Sequence, residues 1–143
     1  MAKRILVPIE RRDTALSVLS VVADIARSSG ATVRLLHVAP LPTERIADDG
    51  RIVAYVNQEM ERIEFARRDC LKIAEALLEG VPVESVVRFG DPAREILVEA
   101  EAFGADLIAV TAGRRRWLPY GLRGIAGKLL RRSDVPVLLL ATA

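Results

Sequence analysis

Residues Asp106 to Leu140 read DLIAVTAGRRRWLPYGLRGIAGKLLRRSDVPVLLL. The order is an apolar run, a loop of glycine and arginine, a helical pattern, and a second apolar run. A short, nearly continuous apolar run fits a strand covered on both faces, which is the habit of parallel sheets. Strand, glycine-containing loop and helix start is how α/β proteins hold phosphates, because free backbone N–H groups and the positive end of the helix dipole meet there. In this chain some glycines of such a loop are present and others are replaced by bulky residues.

The same alternation runs through the rest of the chain. Arg4–Ile9 (RILVPI) predicts a first strand. Asp13 suits the N-cap of a helix whose apolar stripe is Ala15, Leu16, Leu19, Val22, Ala23 and Ala26. Gly30 ends it, and Val33–Val38 predicts the second strand. Leu41–Val53 reads as a polar, irregular connection. A long helix over Tyr55–Glu79 is expected to bury Val56, Met60, Ile63, Ala66, Cys70, Ile73, Ala74 and Leu77. Val83–Arg88 predicts the third strand. Gly90-Asp91-Pro92 opens the next helix, with Asp91 as cap and Pro92 in the first turn. Leu107–Val110 and Val135–Leu140 predict the last two strands, with a helix patterned on Leu122, Ile125, Ala126 and Leu129 between them. Right-handed crossovers turn this order into an open parallel sheet with helices on both faces. The 143 residues carry no internal repeat and form one domain, 1–143.

Charge is uneven. Val110 to Ala143 holds seven Lys/Arg against the single acid Asp134, a local +6 on a body of −4. That asymmetry points to an anionic ligand or partner near the 113–124 loop. Arg114-Arg115-Arg116 with Trp117 and Tyr120 could hold RNA or a base by charge and stacking, although a solvated surface loop explains the same residues, and nucleic acid is the weaker reading. One cysteine, Cys70, excludes an intrachain disulfide framework and suits a reducing cytoplasm. No apolar run is long enough for a membrane span, and the N-terminal run is a strand, not a signal peptide. His37 is the only histidine, so it forms no histidine cluster for a metal, and a packed structural role is expected of it. A conventional enzyme is disfavoured, because no nucleophile–base pair is placed by the sequence.

The segments RILVPIE, VRLLHVAP, FGDPAREILVEAEAFGADLIAV and SDVPVLLL together resemble the universal stress protein family over essentially the full chain. The resemblance implies an α/β fold of the adenine nucleotide alpha-hydrolase-like type, with an open five-stranded parallel sheet of order 3-2-1-4-5. It also implies a ligand crevice where the strand order reverses, between Pro8–Arg12 and Val110–Gly113.

ATP-binding members of that family carry Val-Pro-x-Asp after the first strand and Gly-x2-Gly-x9-Gly-Ser/Thr after the fourth. Here Val7-Pro8-Ile9-Glu10 puts a longer carboxylate in the place of Asp. Val110 falls at the first glycine position and Gly113 at the second. Counting on places Arg123 at the third glycine and Gly124 at the hydroxyl residue; a one-residue insertion makes these Gly124 and Ile125. Neither alignment supplies the hydroxyl. Val38 matches the position whose backbone bonds adenine. The candidate nucleotide-binding residues are therefore Pro8, Ile9, Glu10, Val38, Val110, Gly113, Arg123, Gly124 and Ile125.

Each lost donor to a charged phosphate costs roughly 1.5–3 kcal/mol, so two losses take a micromolar site to about millimolar. Arg123 admits opposite readings. It reaches the phosphates of an altered ligand, or fills the vacated site and pairs with Glu10, or points to solvent. The expectation is a stress-response binding or regulatory protein with a degenerate pocket and weak or no ATP binding. The alternative is a nucleotide binder, ATP with Mg or an AMP-type ligand, with phosphates held by arginine and hydrolysis at most very slow. The resemblance also implies a homodimer through strand 135–140, whose apolar edge would otherwise be unpaired.

Overall fold

The computed structural model describes residues 2–9, 16–43, 45–113 and 124–142. In chain order the elements are β1 (Arg4–Pro8), α1 (Leu16–Ser29), β2 (Thr32–Ala39), β3 (Arg45–Ile46), β4 (Ile52–Ala54), α2 (Val56–Ala76), β5 (Val83–Phe89), α3 (Pro92–Phe103), β6 (Leu107–Gly113), α4 (Gly124–Arg132) and β7 (Val137–Thr142). Five strands pair in the order β5-β2-β1-β6-β7, all parallel. Numbered among themselves, these five run 3-2-1-4-5, the order that the resemblance implied.

Two cores sandwich this sheet. On one face Ile5, Val7, Val33 and Leu35 pack with Leu19, Val22, Ala23 and Ala26 of α1 and with Leu71, Ala74 and Leu78 from the α2 region. On the other, Leu6, Leu36, Ile108 and Val110 pack with Ile96, Ala100 and Phe103 of α3 and with Ala126 and Leu129 of α4. Each strand feeds alternate residues to the two cores, because successive side chains point to opposite faces.

Local chemistry fixes the ends of the elements. Asp91 is extended and accepts from the Arg94 backbone N–H at 3.0 Å, capping α3 as its sequence predicts. Gly104 closes the same helix at φ 70°, a conformation that favours glycine. Asp106 accepts the Lys3 N–H at 2.8 Å and the Arg4 N–H at 3.1 Å, fastening the start of β1 beside the start of β6. Lys3 Nζ donates to the Ser29 carbonyl at 2.8 Å and Arg4 to the Phe103 carbonyl at 2.7 Å. Both cations thus sit at helix C-termini, where the dipole favours them.

Four expectations need correction. The connection over 41–53 contains a short antiparallel hairpin, β3–β4, with Ile46 opposite Ile52. Its signal was present, since Asp49-Gly50 is a hairpin-turn dipeptide, but two- and three-residue strands carry too little alternation to be read. The apolar stripe of α2 is also turned by one residue. Leu71, Ala74 and Leu78 are buried, whereas Cys70, Ala66, Ile73 and Leu77 are exposed. Cys70 is therefore not a core residue. The 21-residue helix spans about 31 Å at 1.5 Å per residue. It outruns the seven- and eight-residue strands β5 and β2 beneath it, so part of its apolar arc has no sheet to cover. Phe65, at 78% exposure, marks that excess.

The fourth long strand continues past Val110 to Gly113, because pairing with β7 persists to Gly113 opposite Thr142. The last strand begins two residues later than expected, at Val137, and runs to Thr142. The Asp13 cap lies outside the described residues.

Candidate functional site

The order of the sheet reverses between β1 and β6, and a crevice opens at the carboxyl end of β1. Its cavity is about 210 Å³ and is lined by Pro8, Ile9, Leu36, Val38, Pro92, Ile96 and Ile125. Pro8 ends β1 and Ile9 follows it. Leu36 and Val38 stand two apart on β2 and so share a face. Pro92 and Ile96 lie one helical turn apart on α3, and Ile125 comes from the first turn of α4.

All seven lining side chains are apolar. The slot can therefore take a flat, uncharged ring against aliphatic walls. Among the described lining residues, the polar groups available to such a ring are backbone ones.

Ile9 is held from two sides. Its N–H donates to the Leu36 carbonyl at 2.8 Å, and its carbonyl faces His37 Nδ1 at 2.8 Å. A carbonyl only accepts, so Nδ1 carries the proton of that bond. His37 is buried and on the opposite side of β2 from Leu36 and Val38, as the packed structural reading expects.

Behind Val38, an ionic cluster joins β2, β5 and α3. Arg88, opposite Val38 in the register, donates to Glu95 and Glu99, each at 2.8 Å. The other oxygen of Glu99 takes Arg34 Nη1 at 2.6 Å, and Arg34 Nε reaches Glu84 at 2.8 Å. The Arg34 guanidinium also lies 4.2 Å from the centroid of the Phe103 ring. For Arg34, burial works against the charge, but hydrogen bonds and attraction from Glu84 and Glu99 outweigh it and raise the pKa above the ordinary arginine value. For Arg88 the hydrogen bond to Glu95 leads, with burial opposing and Glu99 adding, and the shift is again upward. Both arginines stay charged, and the cluster holds the N-terminal half of α3, with Pro92 and Ile96, over the sheet.

Of the residues the sequence singled out, Pro8, Ile9, Val38 and Ile125 come together on this cavity. Val110 does not line it. It is buried inside β6, beside Leu139 of β7. Gly113 ends β6. Gly124 opens α4 at φ 75°, which suits glycine. Glu10 and Arg123 lie outside the described residues, as do Arg114–Arg116, Trp117 and Tyr120.

Leu36, Pro92 and Ile96 were missed as lining residues. The first was legible from its i, i+2 relation to Val38 and the others from the Gly-Asp-Pro opening of a helix on the same face. Among the described residues no cluster of three or more His, Cys, Asp or Glu side chains could hold a metal. No helix among them is long and apolar enough to cross a membrane. The described lining suits the base of a nucleotide. It offers a triphosphate with Mg neither a hydroxyl nor a cation.

The universal stress protein family model matches residues 1–141. Among solved structures, the hypothetical protein MJ0577 superposes with a TM-score of 0.79 at 23% identity, covering 99% of this chain and 96% of the other. A universal stress protein in complex with cAMP gives 0.66 at 19% identity, with 99% of each chain covered. The universal stress protein of Archaeoglobus fulgidus in complex with dAMP gives 0.62 at 21% identity, with 96% of each covered. At these identities the likeness establishes the fold. No curated protein matches the chain.

Proposed function

The chain belongs to the universal stress protein family, and on that premise we propose that it is a stress-response binding and regulatory protein with a degenerate nucleotide pocket. In this reading the crevice admits an adenine-like ring and holds ATP weakly or not at all. The observation that carries it is the apolar lining among the described residues, with Ile125 in the first turn of α4. A phosphate seated against Ile125 would desolvate on an aliphatic side chain, with no hydroxyl among the described lining residues to receive it, and an unmet charged group costs more than a neutral one.

The test is calorimetric titration with Mg-ATP into the millimolar range, alongside adenosine. Millimolar or absent ATP binding is the expected result. Saturable micromolar binding of Mg-ATP would overturn the reading, and would mean that other groups replace the missing phosphate contacts.

A second reading is favoured by the dimensions of the slot. At about 210 Å³ it is below the usual range for a whole drug-sized ligand, and it suits a base with a small, singly phosphorylated appendage. Structural neighbours were solved with cAMP and with dAMP. AMP-type ligands therefore belong in the same titration, and micromolar AMP with millimolar ATP would select this version.

We further propose a homodimer through the outer edge of β7, the final strand of the sheet, which overlaps the 135–140 segment expected from sequence. An unpaired apolar edge invites a partner strand. A protein that stays monomeric at tens of micromolar in sedimentation would refute this. The single cysteine keeps the reducing cytoplasm as its proposed location.

A further inference from the structure

The outward face of α3 presents Arg94, Val98 and Glu101 in line, with Leu97 beside them. Along this face run two adjoining depressions of about 410 and 490 Å³, which share Leu97, Glu101 and Arg132. Val98 is 41% exposed. Among the described residues, the side chains of Arg94 and Glu101 enter no ion pair with one another or with a third residue. Seven residues separate them, about 10.5 Å along the axis, too far for a pair within the helix.

We propose that this face docks against the same face of a second copy of the chain, α3 against α3 and antiparallel. The charge pattern is complementary to itself. A two-fold axis passing between Leu97 and Val98 lies 3.5 residues from Arg94 and 3.5 from Glu101. It brings Arg94 of one copy level with Glu101 of the other, twice. The same axis sets the Val98 ridge against the groove between α3 and the end of α4, as ridges-into-grooves packing requires.

A parallel arrangement would instead place like charges side by side. So the pattern selects both the partner and its direction. The association this face offers is weak and concentration dependent. It is also separate from the β7 edge, because α3 packs over β1, β2 and β5, away from β7. The failure of one contact therefore leaves the other in place.

Disulfide trapping on the full chain tests this. With Cys70 changed to Ser, Val98→Cys should cross-link under mild oxidation about ten-fold faster than Val21→Cys, an exposed control on α1. Adding Arg94→Glu turns two attractive pairs into two repulsive ones and should bring the rate down to that of the control. Adding Arg94→Glu with Glu101→Arg should restore it. All these positions except Cys70 and Val21 lie on α3 and all are exposed, and circular dichroism confirms folding. A Val98→Cys rate equal to the control, an unchanged rate in Arg94→Glu, or no restoration in the charge swap would each overturn the proposal.

Discussion

His37 Nδ1 donates to the carbonyl oxygen of Ile9 at 2.8 Å, so the only histidine of the chain ties the last described residue of the first strand segment to β2. Ile9 lines the crevice, and the bond reaches it from the opposite face of the sheet. His37→Ala should leave a buried carbonyl without this donor, at about 1–3 kcal/mol of stability. Urea denaturation reads that loss. Binding of adenosine, where present, should weaken as well, because the Ile9 wall is no longer held. Unchanged stability would remove His37 from the support of the site.

Val110 separates the linear pattern from the fold. Were it a blocked glycine of a phosphate loop, Val110→Gly would open the site at little cost. Its burial within β6 predicts the opposite. The change should cost about 2–4 kcal/mol, from a core cavity and a flexible residue in a strand, and should not raise affinity for Mg-ATP. Thermal denaturation and calorimetry together check it.

Ile125→Ser tests the alignment that puts Ile125 at the hydroxyl position of the family pattern. It returns a hydroxyl to the first turn of α4, and one added hydrogen bond to a charged phosphate is worth roughly 1.5–3 kcal/mol. Affinity for Mg-ATP should rise by about ten-fold or more. No gain would show that the hydroxyl is not what the pocket lacks.

Glu99 receives both Arg34 and Arg88 while almost fully buried. Glu99→Ala should cost about 3 kcal/mol, because two arginine charges lose their shared carboxylate. The pH dependence has a definite sign. Both arginines have raised pKa values, so their stabilisation is fully present below the ordinary arginine value and is lost only as pH rises through the higher folded value. The Arg88→Met penalty should therefore be flat between about pH 7 and pH 10. A penalty that fades across that window would contradict the assignment.

Much of this protein is written locally. The α1 stripe of Leu19, Val22, Ala23 and Ala26 is buried as its 3.6-residue spacing requires. The Asp91 cap and the strand alternation are likewise short-range properties, decided by neighbours in sequence. The crevice follows one step further, since the order of the strands fixes where it opens.

Tertiary structure decided the rest. Cys70, Ile73 and Leu77 have the hydrophobicity of core residues, but a helix longer than the strands beneath it cannot bury its whole apolar arc, and which side faces the sheet is set by docking. β6 runs on past Val110 to Gly113 because β7 pairs alongside it for three residues more than its own apolar run reveals. Arg34, Arg88 and Glu99 are distant in sequence and meet only when β2, β5 and α3 come together. Local spacing determines which face of an element is apolar, and only packing determines how much of that face finds a partner.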